Sequence, residues 1–246
     1  MNKFLLVTIL VLISKTVLAS PIISGISTSE IEIDTKFQGA KILLFGAKGD
    51  AGNIIVAVRG PKKNFLVTKK KRLLGLWHNG QRVEFKDSHN FYSLFSTLNN
   101  HRPLNGLLKE LELGKNHLEF KTENAVSTRI QSEFKMQLIE KLEKDDLYAE
   151  NANEVIFLNE TLFKVILDFP KNISRGVYAV EIYLINDDTL ISFQTIPIYV
   201  NQAGFSATVL DFAYKKSIIY GLFSIALALI IGWVANFVFS RLSGKS

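Results

Sequence analysis

Residues 162–180 read LFKVILDFPKNISRGVYAV, and this stretch decides the fold class. The apolar-rich run from Leu162 to Phe169 ends at Pro170, and a second run opens at Gly176-Val-Tyr178-Ala-Val180. A tyrosine near the start of a strand, two residues before an inward-facing position, can bond through its hydroxyl to the backbone just upstream. The stretch therefore predicts two consecutive strands of a β-sandwich, joined over a tyrosine corner at Tyr178.

Strand-like patterns continue on both sides of this corner. They alternate apolar and polar residues or form short apolar runs punctuated by glycine, at residues 30–34, 41–45, 53–58, 154–157 and 190–200. Val180 stands where antibody domains place a cysteine. We therefore expect a mainly β protein, an immunoglobulin-like β-sandwich. Residues 29–86 would supply strands A to C, and residues 162–200 would supply strands E, F and G.

A hairpin turn is predicted at Asn79-Gly80, which lies between two strand-like runs. This dipeptide tolerates the positive φ angles of a type I′ turn. Farther on, residues 104–147 change to a helical pattern, which we interpret as an insertion in the sandwich. An alternative is two small domains divided near residue 100, which the chain length also allows.

Within that insertion, an amphipathic helix is predicted over residues 128–144. Its apolar residues step by four, at Ile130, Phe134, Leu138 and Leu142. Thr128 with Gln131 has the spacing of a capping box, and Glu140 with Lys144 that of an i,i+4 ion pair.

The first 19 residues have the pattern of a signal peptide. Lys3 precedes an apolar run that ends at Ile13, and small residues lead to Ala19. Such a segment is too short to span the hydrocarbon and is typically removed by cleavage. We expect cleavage after Ala19 and an exported domain over residues 20–205, the alternative being an uncleaved anchor.

A membrane-spanning helix is predicted at residues 217–239. The stretch from Ile218 to Phe239 carries no charge over 22 residues, which is about 33 Å of helix and enough to cross a bilayer. Residues 206–216 would be a juxtamembrane linker and residues 240–246 a cytoplasmic tail. Ser224, Ala228, Gly232 and Asn236 form a stripe of small or polar residues that could contact another helix.

The charge of the chain is basic as a whole but nearly neutral in the exported part. The 29 Lys and Arg residues exceed the 23 Asp and Glu residues, a net charge of +6. Lys3 and Lys15 fall in the signal peptide, and Arg241 and Lys245 in the tail, so removing these four leaves 25 against 23. A nucleic-acid partner would require positive charge on one folded face. The net charge of only +2 in the exported part does not favour such a partner.

No pattern for catalysis, metal binding or a cofactor occurs in the chain. The absence of cysteine excludes disulfides, thiolate metal sites and a cysteine nucleophile. The four histidines are not spaced as zinc ligands, and no nucleophile elbow is present. We therefore predict no catalytic, cofactor-binding or metal-binding residue. The alternative is an envelope enzyme with a cleft near the Trp77/Asn79 hairpin. Trp77, Tyr92 and Arg59 would surround its substrate, and His78 or His89 would act as acid or base.

A candidate interaction surface is predicted from a dense basic stretch and neighbouring aromatic residues. Its basic members carry seven positive charges within 14 residues, at Arg59, Lys62, Lys63, Lys69, Lys70, Lys71 and Arg72. The surface also includes Trp77 and Asn79 of the predicted hairpin, and Tyr92 beyond it. The partner would be an acidic protein or anionic lipid, and the alternative is a strand edge that lysines protect from aggregation.

Several short motifs also resemble a known family. They include Phe37-Gln-Gly-Ala40, Val58-Arg-Gly-Pro61, Gly75-Leu-Trp77-His-Asn79, Phe91-Tyr92, Gly176-Val-Tyr178, Gln202-Ala-Gly204 and Gly232-Trp233. On these residues the chain resembles, nearly end to end, the alphaproteobacterial transmembrane protein family Alph_Pro_TM, which has no established activity. The chain departs from it at His89-Asn90, where the family tends to have proline.

The resemblance implies a bacterial inner-membrane protein with one spanning helix, and it suggests an accessory role beside a permease-like transporter. Together with the residue patterns, it leads us to expect a single-pass protein that exports its N-terminal domain. That domain would bind a protein partner, or the chain would associate with itself through the spanning helix.

Overall fold

The computed structural model describes residues 21–73, 75–97, 105–122, 127–152 and 155–243, so the predicted signal peptide lies outside the described residues. The strands in these ranges are β1 (Ile22–Ile26), β2 (Glu30–Ile33), β3 (Ala40–Lys48), β4 (Asn53–Arg59), β5 (Lys62–Leu73), β6 (Leu76–His89), β7 (Tyr92–Ser96), β8 (Lys121–Thr122), β9 (Tyr148–Ala152), β10 (Ile156–Phe157), β11 (Leu162–Phe169), β12 (Gly176–Asn186) and β13 (Thr189–Gln202). The helices are α1 (Asn105–Glu110), α2 (Thr128–Lys144), α3 (Gly204–Lys215) and α4 (Ser217–Ser243).

Two sheets share one hydrophobic core and form a sandwich. The first has the order β1-β3-β11-β10, and the second has the order β2-β13-β12-β4-β7-β9. Neighbouring strands are antiparallel except for the parallel pairs β2–β13 and β7–β9. The predicted mainly β class is therefore confirmed, and the strand order is compatible with an immunoglobulin-like arrangement. Strands from both sides of residue 100 occur in each sheet.

Alternation along the strands explains how the core forms. In β11, Phe163, Val165, Leu167 and Phe169 point inward and are at most 1% exposed, while the residues between them face outward. Strand β4 lacks this alternation, because all five residues from Ile54 to Val58 are buried. Its outer side is covered by a satellite cluster that includes Leu113 and the apolar residues of α1. A strand buried on both faces reads as a continuous apolar run.

The tyrosine corner is present in the structure. The Tyr178 hydroxyl donates to the Ser174 carbonyl at 2.8 Å and accepts from the Ser174 backbone N–H at 3.2 Å. Its ring makes edge contacts with Phe91 and Phe169 inside the sandwich. Burial raises the pKa of Tyr178 to about 12. The corner thus ties the loop after β11 to the start of β12.

Replacing Tyr178 by phenylalanine is expected to lower the free energy of unfolding by about 1–2 kcal/mol, because the two hydrogen bonds between the Tyr178 hydroxyl and the Ser174 backbone are lost. Urea unfolding of the full chain in detergent, followed by circular dichroism, measures this change. Tyr199→Phe is the control, since Tyr199 is 45% exposed on β13. Equal stability of both variants would contradict the assigned role of the corner hydroxyl.

The predicted turn at Asn79-Gly80 is wrong. Both residues lie inside β6, where Asn79 pairs with Lys70 of β5, and the hairpin turns between Leu73 and Leu76 instead. Gly75 supplies the positive φ, at 85°. A turn with two positive φ angles does occur between β12 and β13, where Asp187 and Asp188 have φ of 42° and 64°.

The predicted amphipathic helix is confirmed over its full length as α2. Phe134, Leu138 and Leu142 are buried in a second hydrophobic cluster, together with Val83 and Phe85 of β6. The Glu140–Lys144 ion pair forms at 2.7 Å. The capping box is wrong, because the N-cap is Ser127 and no side chain caps the helix. Gln131 instead donates its side-chain amide to the Phe120 carbonyl at 3.0 Å.

One apolar helix of membrane-spanning length follows the sandwich. Within α4, Ser217–Phe237 has a mean hydropathy of 2.4, and none of its most apolar stretch is buried. Helix α3 precedes it, and Lys216 alone separates the two. Phe212 of α3 and Tyr220 of α4 contact edge to face, with ring centroids 6.1 Å apart. A helix long and apolar enough to cross a membrane therefore lies where the sequence predicts one.

Candidate interaction surfaces

The structure distributes the predicted interaction residues over three places. Six of them belong to an exposed part of the β5–β6 hairpin, namely Lys69, Lys70, Lys71, Arg72, Trp77 and Asn79. Lys62 and Lys63 lie at the base of the same hairpin, where Lys62 pairs with His89. Arg59 and Tyr92 are buried elsewhere, so their assignment to an exposed surface is corrected.

The exposed part of the hairpin, residues 69–82, is called the basic arm below. The arm residues whose burial the structure describes, 69–72, 75–79, 81 and 82, are exposed, and Gly80 is half-buried. It contains five Lys or Arg residues and no Asp or Glu. Near its turn, Leu76 and Trp77 are 76% and 68% exposed. The arm thus combines positive charge with apolar side chains that the fold does not cover.

At its inner end the basic arm contacts helix α2. Lys69 Nζ lies 2.6 Å from Glu133 Oε1, and this partner lowers the pKa of Glu133. Beyond that point, cross-strand pairs place Lys71 opposite His78 and Arg72 opposite Trp77. Opposed residues of one antiparallel pair lie side by side on the same face. Arg72 and Lys70 therefore lie on the same face of the hairpin as the exposed Trp77, and Lys71 lies on the opposite face.

Arg59 is part of a buried polar cluster on the outer side of β4. Its Nε lies 3.3 Å from Glu181 Oε2, and the two side chains are only 13% and 16% exposed. Arg59 Nη2 donates to the Leu111 and Glu112 carbonyls at 2.8 and 3.3 Å. Tyr183 completes the cluster by donating its hydroxyl to Glu181 at 2.8 Å. Arg59 therefore joins β4 to β12 and to the segment after α1.

Tyr92 and His89 are also internal. The Tyr92 hydroxyl accepts from the Gly114 backbone N–H at 2.7 Å, and its side chain is 0% exposed. His89 Nδ1 lies 2.7 Å from the Gly60 carbonyl, so Nδ1 must carry the hydrogen. Neither residue reaches Trp77 on the arm, and His78 is exposed. Trp77 on the arm is therefore separate from Tyr92 and Arg59, and these three residues do not line a common cleft.

Stability is expected to fall as the pH drops below about 6.5 because of His89. Burial lowers its pKa from 6.5, aided by the nearby charges of Arg59 and Lys62 and opposed by the Gly60 bond and Glu181. As the pH falls through 6.5, the unfolded chain therefore takes up a proton before the folded chain does. Urea unfolding between pH 5 and 8 measures the slope, which His89→Gln should reduce. Identical slopes would contradict this assignment.

An exposed apolar surface that the sequence analysis missed lies on the first sheet. Its side chains point away from the sandwich core and are 40–65% exposed, at Ile23, Leu43, Phe45, Ile156, Leu162 and Ile166. We call these six residues the outer face. Leu43 pairs directly with Ile166, and the Phe45 ring lies over Gly25 of β1. Apolar residues that adjoin across neighbouring strands in this way mark interaction surfaces.

The predicted stripe lies within helix α4, where a spacing of four residues places its members along one side of the helix. Ser224, Ala228, Gly232 and Asn236 are all exposed. The Ser224 hydroxyl donates to the Tyr220 carbonyl at 2.8 Å, which occupies it within its own helix. A Cβ built on Gly232 would meet no atom within 4 Å. The stripe is therefore open for close approach of another helix.

Two open grooves lie apart from all the residues predicted to interact. One, of about 510 Å³, runs between α2 and residues 116–121 and includes Lys109 and Lys135. The other, of about 570 Å³, lies between β13 and α3 and includes Arg175 and Tyr199. Among the described residues, no three His, Asp or Glu side chains gather as a metal site would require.

Comparison with known proteins matches the chain to a family model. A family model described as "Putative transmembrane protein (Alph_Pro_TM)" matches residues 21–241. No curated protein and no solved structure matches the chain. The matched range includes the sandwich, the basic arm and most of helix α4.

Proposed function

The chain belongs to the Alph_Pro_TM family of transmembrane proteins, and from that premise we propose that it is a membrane-anchored accessory protein whose β domain binds a protein partner. The partner would be a subunit of a membrane complex, such as a transporter. In this proposal the domain faces the periplasm, the chain crosses the bacterial inner membrane once, and its C-terminus is cytoplasmic. The signal-peptide pattern of residues 1–19 supports this orientation.

The outer face is the observation that carries the proposal. Each of its six apolar side chains is between 40% and 65% exposed, and they adjoin one another across the strands β1, β3, β11 and β10. Soluble surfaces rarely leave so many apolar side chains exposed on one face without a partner. Lys164 lies among them on the outward side of β11, opposite Phe45 and Ile156. The Lys41–Asp168 ion pair at 3.4 Å borders the face at one end. Apolar side chains mixed with a few charged ones are usual at a protein interface.

A binding role also fits the positions of the polar residues better than catalysis does. An acid or base and a substrate-binding group must lie within hydrogen-bond reach of one reacting atom. Trp77 projects on the arm, whereas Arg59 and Tyr92 are internal and bonded to protein groups. We therefore propose that the protein is not an enzyme.

Photo-crosslinking from the outer face tests the proposed partner. A photoreactive phenylalanine analogue replaces Phe45 or Ile166 in the full chain expressed in cells, and we expect each position to trap the same discrete membrane protein. Phe45→Lys combined with Ile166→Lys should abolish co-purification of that protein, because two unpaired charges would be buried in an apolar interface. The unfolding midpoint of the double variant is measured to show that it still folds.

The control position is Met136 on helix α2, which is 65% exposed and outside the outer face. It should trap no protein in common with Phe45 and Ile166. The proposal fails if all three positions give the same products, or if the double lysine variant retains the trapped protein at the level of the parent chain.

A further inference from the structure

We propose that the basic arm lies on the anionic lipid surface of the membrane in which helix α4 is embedded. The arm is residues 69–82 of the β5–β6 hairpin, and it makes no use of the outer face. The domain would then make two contacts, one with a protein partner through the outer face and one with lipid through the basic arm. It would fix how the domain is oriented above the bilayer.

The charge of the arm is the first observation. Lys69, Lys70, Lys71, Arg72 and Arg82 lie within 14 residues that contain no acidic side chain. Lys69 contacts Glu133 of helix α2, which leaves the charges nearer the turn on the projecting part. Clustered Lys and Arg residues beside a membrane are attracted to anionic headgroups, and the attraction falls off within a Debye length.

The apolar end of the arm is the second observation. Leu76 and Trp77 adjoin the turn and are 76% and 68% exposed, with Arg72 directly opposite Trp77. Tryptophan is enriched at the level of lipid headgroups, where its ring is covered and its N–H stays solvated. Amphipathic helices that lie in the membrane interface also combine basic residues with tryptophan and leucine.

The short connection to the membrane is the third observation. Helix α3 has 12 residues, about 18 Å of helix, and one residue separates it from α4. The domain therefore stays within a few nanometres of the bilayer, which raises the effective concentration of lipid at the arm. The charge would suit an acidic protein equally well, but the spanning helix guarantees the presence of a lipid surface.

Fluorescence of Trp77 in reconstituted full-length protein tests the inference. The background variant is Trp233→Phe, which leaves Trp77 as the single tryptophan. In vesicles of phosphatidylcholine containing one third phosphatidylglycerol, we expect Trp77 to be quenched by brominated lipid and shielded from acrylamide. In pure phosphatidylcholine, the quenching should be several-fold weaker. High salt should weaken it in the anionic vesicles as well.

Matched charge variants give the decisive comparison. In K70Q/K71Q/R72Q, each neutralised charge should lower the ratio of lipid-bound to free arm about fivefold, so quenching should be nearly lost. K121Q/K141Q/K144Q removes the same charge elsewhere, on β8 and α2, and should retain it. The inference is overturned if Trp77 behaves alike in both lipids or if the two triple variants are quenched equally. Shielding of Trp77 only after an acidic membrane protein is added would also overturn it, in favour of a protein contact.

Discussion

Replacing Arg59 by methionine is expected to lower the free energy of unfolding by about 3–5 kcal/mol, because it leaves the carboxylate of Glu181 buried without its positive partner. Glu181 would retain only the Tyr183 hydroxyl, which donates to it at 2.8 Å. The Leu111 and Glu112 carbonyls would also lose the guanidinium that bonds to them. Urea unfolding of the full chain in detergent measures the loss.

A double variant separates the charge effect from a simple loss of packing. Arg59→Met combined with Glu181→Leu removes both charges, and we expect it to recover most of the stability lost by Arg59→Met alone. Arg175→Met is the matched control, because Arg175 is exposed, and it should change stability by less than about 0.5 kcal/mol. If the double variant were less stable than Arg59→Met, the ion pair would not be the source of the effect.

The strands around the tyrosine corner could be predicted because their signals are local. The run from Leu162 to Phe169 coincides with β11, and Tyr178 bonds to a residue only four positions upstream. Helix α2 was predictable for the same reason, since a four-residue step of apolar side chains places them on one helix face. Such patterns show which side of a helix or strand is apolar, and they do not depend on the elements that pack against it.

The hairpin turn could not be predicted because contacts distant in sequence set its register. Val83 and Phe85 are buried in the second cluster and pair with Val67 and Phe65. A two-residue turn at Asn79-Gly80 would instead place Phe85 opposite residue 74. Packing of these apolar pairs against α2 therefore outweighs the local preference of Asn-Gly for a turn.

The positions of the functional candidates depend on partners that no local pattern shows. Arg59 belongs to a basic stretch in the sequence, yet Glu181 lies 122 residues away and holds it in the interior. The outer face was missed because β3 and β11 carry apolar residues on both sides. In a strand that carries apolar residues on both faces, composition does not distinguish the side covered by the fold from the exposed side.

Replacing Phe134 by alanine is expected to lower the free energy of unfolding by about 3–5 kcal/mol, because the ring is 1% exposed and its removal leaves a cavity. Phe134 belongs to the cluster that joins α2 to β6 and β9, and that cluster is distinct from the core between the two sheets. The loss should therefore loosen α2 and the base of the basic arm before it affects the sandwich.

Hydrogen exchange of the full chain in detergent distinguishes these two regions. In Phe134→Ala, amide protection should decrease in α2 and β6 and remain near the parent level in β11 and β12, because segments with separate cores can open separately. Met136→Ala is the control on the same helix, since Met136 is 65% exposed and its removal leaves no cavity. A uniform decrease of protection in all four elements would show instead that the two clusters unfold as one unit.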